Sequence, residues 1–380
     1  MKKSSHNETA FFTSIKIGLW KDFYSSFELK INNDVNWEDV YQFAEEQSVT
    51  GLLASGIDWI KNNVPDVTIP KEIALQIVGS TMQIEQRNKA MNSFLASIIE
   101  NLRTANIYAL LVKGQGVAQC YERPLWRSCG DIDLLLNQDN YCRAKQLLTP
   151  MAIAIEPENE VVKHFGLTID SWTVELHGSL RSGALRKMDR LIDDVQIDVF
   201  NYGNVRSWMN GKTQIFIPSA DNDVVFVFTH ILKHFFHGGI GLRQVCDWCR
   251  LLWTYKDSIN QKLLAEKIKK AGLMSEWKSF ASFAVKYLGM PAEAMPFYSH
   301  KTYWARKAKR IKDIIIKSGN FGQNLNNYKE QGHPLAIKKL KSFNRYFRDF
   351  ISQFMVFPKD AVSVWCWVLK VGASTMLERT

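Results

Sequence analysis

Cysteine is scarce in this chain, with six residues among 380, scattered at positions 120, 129, 142, 246, 249 and 366. That density excludes a disulfide scaffold and suits a reducing compartment. Long apolar runs are lacking too. The closest approach, Ala361–Leu369 (AVSVWCWVL), falls far short of the ~20 residues needed to span a bilayer. Near the start, Phe11–Trp20 is broken by Ser14 and Lys16, and no small-residue cleavage site follows, so no leader is expected. There is no internal repeat and no low-complexity tract, which sets aside solenoids and disordered linkers. A cytoplasmic globular protein without a transmembrane segment is the expectation.

What is present supports large cores: 46% hydrophobic residues, with 22 Phe, 12 Trp and 12 Tyr. The net charge is +10, concentrated late in Lys301–Lys312 and Lys338–Arg348. A basic surface attracts nucleotides, RNA, acidic lipids or charged glycans alike. The basic and aromatic residues Phe343, Arg345, Tyr346, Phe347, Arg348 and Phe350 suit RNA or peripheral membrane contact, and equally an ordinary amphipathic helix.

Apolar spacing predicts helices from Trp37 to about Thr104, with Asn36 as an N-cap. Ile73, Leu75, Ile77, Met82, Ile84 and Leu95 are core candidates within Lys71–Ala105. The texture changes at Asn106. Ile107–Val112 and Asp131–Leu136 suit buried strands, Tyr141–Leu148 a helix, and Ala152–Glu156, His164–Ile169 and Trp172–His177 an antiparallel meander turning at Asp170-Ser171. Helix returns at about Ala220 and continues to the end, with breaks at Gly238-Gly239, Pro291, Pro296, Pro334 and Pro358. The expected layout is a helical region over 1–105, an α/β core over 106–219 and a helical region over 220–380.

The most informative stretch is Lys113–Leu136 (KGQGVAQCYERPLWRSCGDIDLLL). Side chains two apart on a strand share a face, so Asp131 and Asp133 point together while Ile132, Leu134 and Leu136 point into a core. Two carboxylates about 5 Å apart repel by ~3 kcal/mol at an effective dielectric of about 20, a cost a divalent cation removes. Hard oxygen donors suit magnesium. Ahead of them, Gly114 and Gly116 open a turn whose backbone N–H groups suit a phosphate, with Lys113 adding charge. A lone D-x-D also occurs among surface aspartates. Here its order after strand, glycine turn and helix favours chemistry.

Gly114 followed by Gly130-Asp131-Ile132-Asp133 resembles the G-[GS]…D-x-D motif of the DNA polymerase β-like nucleotidyltransferase superfamily. The LLVKG strand, the R-x-x-GDIDLL strand, a later acid-Leu-His strand and a His-rich helix resemble a bacterial branch of uncharacterised nucleotidyltransferases, over about Trp37–Leu252. Two departures stand out: Gln115 replaces the usual Gly or Ser, and the gap from Gly to Asp is longer. The resemblance implies an α+β fold, a small mixed sheet with helices, flanked by the two helical regions. It implies transfer of a nucleoside monophosphate from a nucleoside triphosphate to an acceptor hydroxyl or phosphate. Two Mg2+ ions, or Mn2+ in their place, would sit on Asp131, Asp133 and Glu175. Lys113, Gly114, Gln115 and Arg127 would contact phosphates, Arg127 equally neutralising the carboxylates. His177, His230, His234 and Arg243 would contact substrate, although the histidines fit helix packing as well. A sugar or small-molecule acceptor is the first expectation, with RNA second and a non-catalytic nucleotide sensor or scaffold third. Cys246-x-x-Cys249 lies in an apolar helical pattern and reads as structural.

Overall fold

The computed structural model describes residues 5–21, 23, 31, 34–183, 185–237, 239–319 and 335–377, the side chains of residues 5, 335–343, 345 and 371–377 excepted. The expectations placed on Phe343, Arg345, Gly238 and Pro334, and on the extreme ends, lie outside the described residues. The fold is mixed α+β. All seven described strands fall between Leu110 and Pro218: β1 (Leu110–Val112), β2 (Asp131–Leu135), β3 (Ala154–Ile155), β4 (His164–Ile169), β5 (Trp172–His177), β6 (Val205–Asn210) and β7 (Thr213–Pro218). Their order in one sheet is β3-β4-β5-β2-β1-β7-β6. β2 runs parallel to β5 and antiparallel to β1.

Helices α1 (Ser5–Trp20), α2 (Trp37–Glu46), α3 (Thr50–Asn63) and α4 (Lys71–Thr104) precede the sheet. Asn36 caps α2 as expected, its side chain accepting from the backbone N–H groups of Glu38 and Asp39. The Lys71–Ala105 segment is a single 34-residue helix. Leu75 and Met82 lie on its exposed side, 60% and 55% accessible, so they are not core residues. The expected Ile77 and Leu95 are buried, and Met91, Ile98 and Leu102 complete the packing of α4.

Within the sheet come α5 (Gly114–Ala118), α6 (Gln138–Leu148) and α7 (Arg186–Tyr202). The sequence reading had no helix at α7 and no hairpin at β6–β7. After the sheet follow α8 (Ala220–His237), α9 (Leu242–Thr254), α10 (Gln261–Lys270), α11 (Met274–Leu288), α12 (Thr302–Ser318), α13 (Leu335–Phe354) and α14 (Pro358–Leu377). Among the described residues no helix is long and apolar enough to cross a membrane.

Strand alternation divides the molecule into two cores. Ile132, Leu134, Phe165, Leu167, Val174 and Leu176 point to one face and pack with α4 and α6. On the opposite face Val112 and Leu135 join the larger core built from α1–α3 and α7–α12. At β2, β5 and β4, however, that opposite face carries Asp131, Asp133, Thr173, Glu175, His177 and His164. There the second core recedes and leaves a cavity of about 780 Å³.

Candidate active site

The cavity lies between this polar face of the sheet and the helices α8 and α9, with Trp367 of α14 also on its wall. Parallel pairing of β2 with β5 sets Asp133 beside Glu175 and Asp131 beside Thr173. One ligand atom each from Asp131, Asp133 and Glu175 lies within 4.8 Å of the others. The three acids expected from two separate strands do converge.

The cluster carries its own basic partners. Lys113 Nζ lies 2.6 Å from Asp133 Oδ1. His177 Nε2 lies 2.8 Å from the same oxygen and 3.4 Å from Glu175 Oε2. His164 Nε2 lies 3.1 Å from Glu175 Oε2. Each titration follows from these contacts. Burial works against the Lys113 ammonium, but the charges of Asp133 and Asp131 outweigh it and hold its pKa above the ordinary value. Burial opposes ionisation of Asp133, yet Lys113 and His177 hold its carboxyl below the usual range. For Glu175, burial is likewise overcome by bonds from His164 and His177, and its pKa falls. His177 is pushed up because its bonds to Asp133 and Glu175 exceed its own burial cost. Asp131 moves the other way: the neighbouring Asp133 charge, then burial, raise its pKa.

Backbone strain places Lys113. Its φ of 59° and ψ of −142° are costly for a side-chain-bearing residue. The next residue, Gly114, has φ +43°, and an added Cβ there would meet Cys129 Sγ at 3.3 Å. This turn ends β1, opens α5 and brings the ammonium onto Asp133.

Gln115, expected to offer its backbone to a phosphate, has a structural role for its side chain. Its side chain is buried and donates to Asn88 Oδ1 of α4 at 2.8 Å. Asn88 in turn donates to the carbonyls of Leu125 and Arg127 at 2.7 and 2.8 Å. The amide that departs from the superfamily pattern thus ties the glycine turn, through α4, to the loop entering β2. A Cβ on Gly51 of α3 would meet the Trp126 carbonyl at 2.1 Å, so that glycine is what lets the loop seat on α3.

Arg127 also lines the cavity, but its guanidinium is engaged. Nε and Nη2 donate to Asp247 of α9 at 3.0 and 2.6 Å, and Tyr121 donates to the same carboxylate at 2.7 Å. The geometry fits a residue that fixes the β2 entry against α9. Arg243 Nη1 donates to the Ser128 carbonyl at 2.7 Å from the next turn of α9.

On α8, Phe226, His230, Lys233, His234 and His237 recur at helix spacing and face the cavity as one stripe. His230 and His234 approach each other at 3.0 Å through their Nε2 atoms. Only one of two such nitrogens can donate. Burial holds His230 well below its usual pKa and brings His234 down to about 3. The pair is neutral near pH 7. Cys246 and Cys249 are free and buried, in keeping with packing.

Among the cavity residues not singled out from the sequence are two basic ones, His164 and Lys233. His164 could have been, because the Asp170-Ser171 turn fixes it opposite His177. Lys233 could have been read from the α8 stripe.

A family model described as uncharacterised nucleotidyltransferase matches residues 33–289 of the chain. No curated protein and no solved structure matches it.

Proposed function

The chain belongs to the uncharacterised nucleotidyltransferase family, and from that premise we propose transfer of a nucleoside monophosphate from a nucleoside triphosphate to a small-molecule or sugar acceptor, with release of pyrophosphate. The seven-stranded mixed sheet and its flanking helices form the nucleotidyltransferase core and its surround. The observation that carries the reading is the convergence of Asp131, Asp133 and Glu175 within 4.8 Å at the cavity.

An all-oxygen donor set of this size suits Mg2+, with Mn2+ as the alternative, and Asp131, Asp133 and Glu175 are the residues that would hold it. Such ions supply charge neutralisation on the triphosphate and on the attacking oxygen. The chain's own groups then have definite tasks. Asp131 and Asp133 orient the triphosphate side and Glu175 the acceptor side. Lys113 and Lys233 present positive charge to phosphate oxygens from opposite walls, and the Gly114 turn lets the chain pass close to them. His177 fixes the carboxylate of Asp133, and Arg127 with Asp247 fixes the strand entry. His230 and His234, neutral and cavity-facing, suit hydrogen bonding to a polar uncharged part of a substrate.

A small acceptor is favoured over RNA by the shape of the site. The cavity volume of about 780 Å³ lies in the range of small-ligand sites. Among the described residues, none of the basic residues of Lys301–Lys312 lines it. The test is release of pyrophosphate from labelled triphosphates with Mg2+ and a panel of sugar and metabolite acceptors. Equal release by an Asp131→Ala, Asp133→Ala double variant sinks the proposal. Tight triphosphate binding in calorimetry without turnover on any acceptor turns it into a sensor.

A further inference from the structure

The residues around Glu175 make a second, chemically different donor set. Glu175 Oε2 has His164 Nε2 at 3.1 Å and His177 Nε2 at 3.4 Å, and the three ligand atoms lie within 4.8 Å of one another. His177 Nε2 also bonds to Asp133 Oδ1 at 2.8 Å, a bond that a metal ion would replace. Two imidazole nitrogens and a carboxylate oxygen within 4.8 Å of one another, the histidines at paired positions on adjacent strands, make a donor set of the kind that holds a transition ion. The distances agree with that. With metal–ligand bonds of about 2.1 Å, neighbouring donors stand about 3.0 Å apart in an octahedron and about 3.4 Å apart in a tetrahedron. The rings are tilted by 42° with centroids 4.9 Å apart, so they are not stacked face to face. His164 and Glu175 are 29% and 26% exposed at their side chains, which leaves an entry path.

We propose that His164, His177 and Glu175 bind a first-row divalent transition ion of the imidazole-preferring kind, the Zn2+ class. This ion is distinct from the hard ion proposed for Asp131, Asp133 and Glu175. Imidazole nitrogen is a poor ligand for Mg2+ and a good one for Zn2+, Co2+ or Fe2+. Glu175 is common to both sets, so its carboxylate bridges a nitrogen-rich position and an oxygen-only one. The chain is built for two unlike metals side by side. This site stands on its own donor atoms and does not depend on the transferase reading.

Co2+ is the probe. Full-length protein freed of metal with a chelator is titrated with Co2+ in the presence of excess Mg2+. The expected result is one equivalent of Co2+ with visible d–d absorption of nitrogen-ligated character, displaced by Zn2+ and resistant to Mg2+. His164→Ala and the size-conserving His164→Gln lower Co2+ affinity by at least about tenfold, whereas Asp131→Asn keeps the band. Circular dichroism verifies folding of each variant. Independently of any variant, pulsed EPR of the one equivalent of bound Co2+ in the unaltered chain shows 14N coupling. Displacement of Co2+ by Mg2+, equal affinity in folded His164→Ala and His164→Gln, or absence of 14N coupling overturns the assignment. Pyrophosphate release is a separate readout, so failure here and failure of the transferase proposal are told apart.

Discussion

Replacing Asp131 by Asn should make the metal-free protein more stable and the metal-loaded protein less so. In the ligand-free cluster Asp131 stands within 4.8 Å of both Asp133 and Glu175. At an effective dielectric of about 20, each unit-charge pair at that separation repels by about 3 kcal/mol. The basic partners do not serve the three acids equally. Lys113 and His177 bond to Asp133, and His177 and His164 to Glu175. Asp131 is outside this set of bonds, and its raised pKa follows. Lys113 and Arg243 oppose the two carboxylates at a distance, and the raised pKa shows that the repulsion still prevails, so the net cost of the Asp131 charge is a fraction of the pairwise sum, about 1 kcal/mol. Asn keeps the shape and removes the charge. In chelator, the variant's thermal midpoint should therefore rise by about 1–3 °C. Metal reverses the order. A site filled at a hundred times its dissociation constant gains the unaltered protein about 2.7 kcal/mol, and the variant forgoes most of that. Thermal melts of both proteins in chelator and in Mg2+ should cross. A variant less stable than the parent in chelator, or one that gains equally from Mg2+, refutes the charge argument.

Asp247→Asn should cost about 3–5 kcal/mol in urea unfolding, because it leaves the buried Arg127 guanidinium without its bidentate partner; a loss below about 1 kcal/mol refutes the anchoring role. His234 has a folded pKa of about 3 against an ordinary 6.5, so its contribution is complete above pH 6.5 and is lost as pH falls towards 3. That loss amounts to about 1.4 kcal/mol per pH unit, and His234→Gln should flatten stability between pH 6.5 and 4.5; an unchanged slope counts against a neutral pair. Lys233→Ala should raise KM for the triphosphate about tenfold or more, the worth of one charge-assisted hydrogen bond, with a smaller change in kcat; an unmoved KM removes Lys233 from the phosphate wall.

Much of the site was legible because strand periodicity is a short-range property. Asp131 and Asp133 share a face wherever DIDLLL is extended. A two-residue turn at Asp170-Ser171 forces Trp172–His177 back along His164–Ile169 with Glu175 and His177 on one side. Legibility failed where a partner lies far off in sequence. Arg127 finds Asp247 across 120 positions, and no local pattern announces that a loop arginine will meet a carboxylate instead of a phosphate. The side-chain bond of Gln115 to Asn88 is illegible for a related reason. Helix α5 has five residues, too few to display which side faces α4. Helix α7 was legible and was overlooked: Met188, Leu191, Ile192, Val195 and Val199 are buried at helix spacing beneath a dense charged surface. Strand β6 is a sheet edge with few deeply buried residues, so its alternation is faint.

The conformation of Lys113 links these threads. A φ of 59° with ψ of −142° costs of the order of 1–3 kcal/mol at a residue with a side chain, and glycine would carry it freely. A lysine there must be held by something glycine cannot supply. The 2.6 Å contact with Asp133 Oδ1 is that something: a buried ion pair lost if the residue is changed. The same contact explains why three acids can crowd together before any divalent cation arrives. A divalent cation held by the cluster would compete with Lys113 for Asp133, and the ammonium would stay tethered by the turn at the cavity wall. It is then where a triphosphate's negative charge would lie. Strain in the backbone, charge balance among the acids and charge supply to the substrate are, on this argument, three consequences of one side chain on one turn.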